Sequence, residues 1–299
     1  MRRNTRCFSL GEVNIGSDHP ISVQSMTKTD TRDIEKTVEQ INELEMAGCD
    51  IIRCAVPNID AAKSLKDIIL KTKLPIVADI HFEYRLALEA IKSGVHGLRI
   101  NPGNIGQKKR IISVVQSAKD SNIPIRIGVN SGSLEKDLLE KYGYPSADAL
   151  VESAERHLSI LDELDFKNVK VSVKSSNVNI MIDAYRKLAK KTDVPFHLGV
   201  TESGTYEIGS VKSSIGIGSL ISEGIGDTIR VSLTDDPVKE VKMGKNILKA
   251  LGHFENGIEL ITCPGCGRLE IDLQSLVEDV EKRIEKIKIK KTFCLLYTS

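Results

Sequence analysis

The sequence contains no tryptophan, and aromatic residues make up 4% of its 299 positions. Surfaces that stack single-stranded bases are built from such rings, so this scarcity argues against that role. An excess of one charge is missing too: 42 Lys and Arg face 41 Asp and Glu, a formal net charge of +1. Proteins that grip duplexes carry a basic excess, so nucleic acid is not expected as a partner. No run of about 18 uncharged apolar residues occurs, which argues against a membrane span. The basic start Met1-Arg-Arg-Asn-Thr-Arg-Cys7 is not followed by an apolar stretch, so no signal peptide is expected. Six cysteines, at 7, 49, 54, 263, 266 and 294, are scattered and form no compact disulfide framework. A reducing, cytoplasmic setting fits them. Cys49 and Cys54 lie among apolar residues and read as buried thiols.

What is present is a repeated alternation. Short apolar runs with polar ends occur at Ile21–Met26, Ile51–Cys54, Pro75–His81, Gly97–Asn101, Pro124–Asn130, Val169–Lys174, Val194–Glu202 and Thr228–Leu233. Between and after them lie segments of helical periodicity: 31–47, 58–71, 83–93, 108–121, 147–164, 178–191, 210–223 and 237–251. In the first, Ile34, Val38, Ile41 and Leu44 share a face. Gly48, Gly94 and Gly224 close helices before the next strand, and Pro75, Pro124 and Pro195 open strands. Eight strand–helix units in this length predict a (β/α)8 TIM-type barrel over residues 1–252, with an open doubly wound sheet as the alternative. The one extended insertion is 131–146, after the fifth strand.

Side chains two apart on a strand share a face. Asp79 and His81 therefore pair, as do Arg99 and Asn101, Ser172 and Lys174, and Arg230 and Ser232. Arg126, Gly128 and Asn130 form a further set, and Arg53 and Glu202 hold strand-end positions. A barrel interior favours Val, Ile and Leu, and a buried unpaired Arg is costly. Alone, each such Arg is more often a structural ion pair. Together, four Arg and one Lys at the strand ends, where this fold carries its sites, suit a small diphosphate. Asp79, His81 and Glu202 are then placed for proton transfer or for orienting hydroxyls. Two glycine-rich pieces, Asn101–Gly106 and Gly216–Ser219, offer backbone N–H groups near the same end. His96 and His197 read as structural, and His19 as a surface residue.

After the barrel, Cys263-Pro-Gly-Cys266 makes a thiolate knuckle. Its spacing alone suggests zinc first, with an iron–sulfur site, an incomplete site or metal-free thiols as the other readings.

The strings Val23-Gln-Ser-Met-Thr27, Ala78-Asp-Ile-His-Phe82, Leu98-Arg-Ile-Asn-Pro-Gly-Asn-Ile-Gly106 and the run Arg126–Leu139 resemble those of the 4-hydroxy-3-methylbut-2-enyl diphosphate synthase family. So do His197-Leu-Gly-Val-Thr-Glu202, the run Gly224–Pro237 and Cys263-Pro-Gly-Cys-Gly-Arg268. The resemblance runs from about residue 10 to 288. It implies a barrel followed by the beginning of a small α+β iron–sulfur domain (253–299). It also implies reductive ring opening and dehydration of 2-C-methyl-D-erythritol 2,4-cyclodiphosphate, in the methylerythritol phosphate route to isoprenoids. A [4Fe–4S] cluster, held by three Cys and one Glu, would carry electrons from flavodoxin or ferredoxin, in a homodimer. By motif, Cys263 and Cys266 correspond to cluster ligands. Arg53, Arg99, Asn101, Arg126, Asn130 and Lys174 correspond to the diphosphate-holding set. Asp79, His81, Glu202 and Ser232 correspond to other active-site positions, with Glu202 expected in proton transfer. Arg230 rests on strand parity alone.

From about residue 289 the chain departs from the family pattern. Cys294 lacks the flanking glycines and the downstream Glu, so the third cluster ligand is not carried onto it. The tail is expected to be a truncation or frame-slip end, with a cluster bound poorly and reductive turnover weak. One rival reading is a metal-independent barrel lyase or transferase on a phosphorylated substrate with a structural zinc knuckle. The other is a non-catalytic zinc-knuckle binding module.

Overall fold

The computed structural model describes residues 1–101, 105, 108–253, 258–284, 287 and 292–296. Residues 102–104 and 106 of the first glycine-rich piece, and much of the tail from 289, lie outside the described residues. The chain divides into two compact units, Met1–Ile247 and Leu248–Ser299.

The first unit opens with a hairpin of β1 (Phe8–Leu10) and β2 (Val13–Ile15), turned at Gly11 with φ +57°. Eight parallel strands follow: β3 (Ser22–Met26), β4 (Ile51–Ala55), β5 (Ile76–Asp79), β6 (Gly97–Ile100), β7 (Ile125–Asn130), β8 (Val169–Lys174), β9 (His197–Leu198) and β10 (Thr228–Ile229). Their order is β8-β7-β6-β5-β4-β3-β10-β9. A parallel bridge from Val171 to Phe196 joins the two ends of that series. The sheet is thus a barrel, and the open doubly wound alternative is excluded.

Helices alternate with the strands close to the expected bounds, because local signals set them. In α1 (Ile34–Met46) the Asp33 side chain accepts the Lys36 N–H at 3.2 Å, an N-cap. Its buried face is Thr37, Ile41 and Leu44, with Ile34 and Val38 half-buried. The insertion after β7 is folded: a 3-10 turn at Ser131–Ser133 leads to a short helix, α5 (Lys136–Tyr142). The helix between β6 and β7 is α4 (Lys108–Asp120), and that before β8 is α6 (Ala147–Glu163).

Strands seven and eight are shorter than expected. Only two residues of each lie in the ladder, against the runs Val194–Glu202 and Thr228–Leu233. Side chains take the place of backbone partners there. From α7 (Val178–Ala189), the Tyr185 hydroxyl accepts the Val173 N–H at 3.1 Å and donates to His197 O at 2.6 Å. Asp227 accepts the Phe196 N–H at 2.8 Å. The seam is closed by fixed polar side chains as much as by strand pairing.

The hairpin, not anticipated from the sequence, stops one end of the barrel. Phe8, Leu10 and Ile15 pack with Ile51 and Val77, near the N-terminal ends of β4 and β5. Gly97, the first residue of β6, leaves room for Leu10: a Cβ there would lie 3.2 Å from Leu10 Cδ1. The opposite, C-terminal end stays open for the site.

The second unit contains β11 (Ile258–Thr262), α10 (Leu273–Ile284) and β12 (Thr292–Leu296), with the two strands parallel. Among the described residues no helix is long and apolar enough to cross a membrane.

Candidate active site

Strand register builds the site. Asp79 sits opposite Arg99 across β5 and β6, and Arg99 opposite Arg126 across β6 and β7. Asn130 pairs with Lys174 across β7 and β8, and Arg53 stands beside Met26 across β3 and β4. Parallel pairing at matched height brings five cations to one end of the barrel. Arg53, Arg99, Arg126, Lys174 and Arg230 line a cavity of about 210 Å³ with Met26, Asp79, His81, Asn130, Thr201 and Ser232.

Asp79, 2% exposed, is the hub. Its carboxylate lies 3.1 Å from Arg99 Nη1, 3.6 Å from Arg53 Nε and 3.4 Å from His81 Nε2. Burial opposes its charge, but Arg53 first, then His81 and Arg99, hold its pKa well below the usual carboxylate range. The Arg53 guanidinium also donates to Met26 Sδ, at 2.9 Å from Nη2. Burial pulls Arg53 down to about 10 against the attraction of Asp79.

The other cations are less well balanced. Arg126 Nη1 donates to Ser172 Oγ at 2.9 Å, while its Nε and Nη2 are buried without hydrogen-bond partners. Arg99 Nε and Arg230 Nε are also without partners. Glu240, 3.8 Å from Arg230 Nη2, is the second carboxylate near the set. Burial, and then neighbouring cations, push Arg126 and Lys174 well below their ordinary pKa values. Burial lowers Arg230 too. Two carboxylates against five cations leave donors unmet in a low-dielectric pocket, and a polyanion of suitable size satisfies them.

Two glycines make room for these long side chains. A Cβ on Gly128 would lie 2.7 Å from Arg99 Nε, and one on Gly199 would lie 2.7 Å from Lys174 Nζ.

A second, contiguous cavity of about 240 Å³ continues outward between His81, Phe82, Arg99, Asn130, Gly132, Ser133, Thr201 and Glu202. Glu202 is not on a strand, as parity had it. It is exposed on the turn after β9 with φ +51°, a left-handed conformation unusual for a side chain larger than Gly. Strand alternation thus gave the wrong reason for a residue that does reach the cavity mouth.

Of the residues singled out by sequence, Arg53, Asp79, His81, Arg99, Arg126, Asn130, Lys174, Ser232 and the parity choice Arg230 converge on the inner cavity. Asn101 is buried just beyond β6 and lies outside that lining. Met26, Thr201, Gly132 and Ser133 were not singled out. Met26 shares strand parity with Gln24 and could have been found. Thr201 and the 131–133 turn depend on how the loops fold.

Cys263 and Cys266 belong to the second unit. Gly265 between them takes φ +78°, and Arg268 Nε stands 3.5 Å from Cys266 Sγ. That contact lowers the pKa of the exposed Cys266 thiol. Among the described residues no group of three or more His, Cys, Asp or Glu is arranged to hold a metal.

A parallel barrel with a cationic cradle at the C-terminal strand ends defines a (β/α)8 enzyme-type site for a small polyanion. Solved structures agree on the fold. A sialic acid synthetase from Leptospira borgpetersenii superposes with TM-score 0.59 at 16% identity, covering 95% of this chain and 98% of that one. The Yersinia pestis dihydropteroate synthase gives 0.56 at 11% identity, covering 84% and 98%. Residues 5–245 match the model of the GcpE TIM-barrel domain. The chain is 61% identical over 285 residues to the 4-hydroxy-3-methylbut-2-en-1-yl diphosphate synthase (flavodoxin) of Clostridium acetobutylicum, covering 95% of this chain and 82% of that protein. The protein of the same name from Thermodesulfovibrio yellowstonii is 57% identical, with 96% and 82% covered. The chain belongs to this family.

Proposed function

We propose that the chain acts in isoprenoid biosynthesis as a 4-hydroxy-3-methylbut-2-enyl diphosphate synthase. It would open 2-C-methyl-D-erythritol 2,4-cyclodiphosphate and release the linear diphosphate and water. Counted on the acid forms, the reaction consumes two electrons and two protons, with reduced flavodoxin, or ferredoxin, as donor. The observation that carries this reading is the convergence of five cations, four of them buried and Arg230 nearly so, on one cavity where Asp79 and Glu240 offset them in part.

In this reading Arg53, Arg99, Arg126, Lys174 and Arg230 hold the diphosphate. Asp79 fixes the directions of Arg53, Arg99 and His81. Asn130 and Ser232 orient substrate oxygens, and Asn101, buried just beyond β6, belongs to the diphosphate-holding set by resemblance. Glu202, at the outer mouth, is the carboxylate placed to move a proton at the carbon skeleton, with His81 lining the same outer cavity. The cradle anchors the charged end and presents the carbon end to the opening.

The family resemblance implies a [4Fe–4S] cluster, and the second unit is assigned as the start of its domain. Cys263 and Cys266 suit two of its ligands: a C-x-x-C turn relaxed by Gly265, with one thiol acidified by Arg268. The described residues do not gather the further donors a cluster needs, so they do not fit the whole group, and no step is derived through it. A second copy of the chain is the proposed partner in a homodimer.

Calorimetric titration of the purified chain with the cyclodiphosphate tests the barrel reading. Binding that weakens at least about tenfold in Arg126→Met is expected, as one charge-assisted contact is worth about 1.5–3 kcal/mol. No binding heat in the unaltered chain would sink it.

A further inference from the structure

Below the cradle the barrel interior stays polar where packing alone would place Val or Leu. Lys170 projects inward from β8, directly opposite Arg126 in the β7–β8 register and two residues before Ser172. It is 2% exposed and its Nζ has no hydrogen-bond partner. His197, beside Ser172 through the Val171–Phe196 bridge, is fully buried with both ring nitrogens unpartnered. Gln24 on β3 is buried with neither amide atom bonded. The β1–β2 hairpin stops the barrel beneath this tier.

The tier holds no free counter-charge for Lys170. The carboxylate nearest in effect, Asp227, is already engaged by Arg2 at 3.0 Å, Thr5 at 3.1 Å and the Phe196 N–H. The charged or titratable groups acting on or with Lys170 are Arg126 on β7, His197 on β9 and that occupied Asp227. Burial, and then Arg126, bring the Lys170 amine down to about 7. Its charge state is therefore set by burial and by the positive field from above, and that field weakens when a dianion enters the cradle.

We propose that Lys170 is a proton-coupled positioning residue: it takes up a proton from solvent when a diphosphate binds above it, adding a cation to the cradle only when the anion is present. This rests on the diphosphate reading above. Above pH 7 the empty cradle is thereby largely spared a further positive charge, and the filled one gains it. Lys170 does not touch the ligand; it acts through Arg126 and Ser172.

The experiment is calorimetric titration of the full chain with the cyclodiphosphate at pH 7, 8 and 9, in buffers of different ionisation heat. Each phosphorus of a cyclic diphosphate carries one strongly acidic hydroxyl, so the ligand does not titrate in this window. The sign follows from linkage: a group whose pKa rises on binding makes affinity fall as pH rises above its free-state value. The wild-type chain should take up a fraction of a proton approaching one at pH 8. Its Kd should weaken by up to about tenfold per pH unit more steeply than that of Lys170→Met. The two curves should converge near pH 9 and separate toward pH 7. Equal proton uptake and parallel curves would overturn the proposal. Lys170→Gln serves if the Met variant does not fold, and an unaltered chain that binds at pH 8 without proton uptake overturns it alone. An unaltered chain that binds nothing at any pH instead removes the diphosphate reading, and this inference with it.

Discussion

The Arg99 guanidinium occupies the space that a side chain at residue 128 would need: a Cβ on Gly128 would stand 2.7 Å from Arg99 Nε and 3.1 Å from its Nη2. Arg99 reaches across β7 because β7 is bare there, and it meets Asp79 from that position at 3.1 Å. The cradle thus depends on a residue with no side chain. Gly128→Ala is expected to displace Arg99 and weaken cyclodiphosphate binding by about 1–3 kcal/mol, the usual range for overpacking. Calorimetric Kd values check this, and unchanged affinity would refute the packing argument.

Asp79→Asn should be the most damaging single change at the site. It leaves Arg53 and Arg99 buried without their shared carboxylate, and breaking a buried pair costs about 3–5 kcal/mol. Denaturant midpoints should fall accordingly. Added cyclodiphosphate should recover part of the loss, because its charge replaces the missing one.

Glu202 sits at φ +51°. A left-handed backbone costs a side-chain-bearing residue about 1–2 kcal/mol. Glu202→Gly is therefore expected to raise the melting temperature by a few degrees while cyclodiphosphate binding persists. A lower melting temperature would show that Glu202 makes contacts that outweigh its strain.

The turn after β7 is tied to α6. Glu135 Oε1 lies 2.8 Å from His157 Nε2 and accepts from Ser153 Oγ at 3.0 Å. Burial alone would raise the Glu135 pKa, but His157, its own backbone N–H and Ser153 outweigh this and lower it to about 2. A carboxylate with a depressed folded pKa stabilises fully above its unfolded value, near 4.5, and loses that contribution as pH falls toward about 2. Acid unfolding of Glu135→Gln should therefore show a shallower pH dependence between about 4.5 and 2 than the unaltered chain. Identical profiles would mean the pair contributes nothing.

Thiol reactivity should separate the cysteines. Cys266 is exposed with its pKa lowered by Arg268, whereas burial pushes the Cys49 and Cys54 thiols up to about 12. Alkylation at pH 8, followed by peptide mass mapping, should mark Cys266 long before Cys49 or Cys54. Arg268→Ala should slow the Cys266 reaction. Comparable rates at the three thiols would contradict this.

Most of the barrel could be read from the chain because each strand–helix unit carries its own signals. Apolar runs, caps such as Asp33 and the glycine stops are local, and local energetics fixed those bounds. The N-terminal hairpin was missed because its two strands have three residues each, too few for a periodic pattern. Strands seven and eight were drawn too long because Tyr185 and Asp227 satisfy backbone groups that a ladder would have used. No pattern within those segments reveals a partner 12 or 31 residues away.

By itself the sequence determined the alternation, and with it the end of the barrel at which Arg53, Arg99, Arg126 and Lys174 would gather, because side-chain direction on a strand is set by parity. Only the tertiary structure decided how those charges balance. That depends on register between strands, which joined Asp79 to Arg99 and left Lys170 and His197 without partners. It depends also on bare backbone at Gly128 and Gly199, through which neighbouring side chains pass. Parity is a property of one strand, whereas the electrostatics of the site belong to eight strands closed on one another.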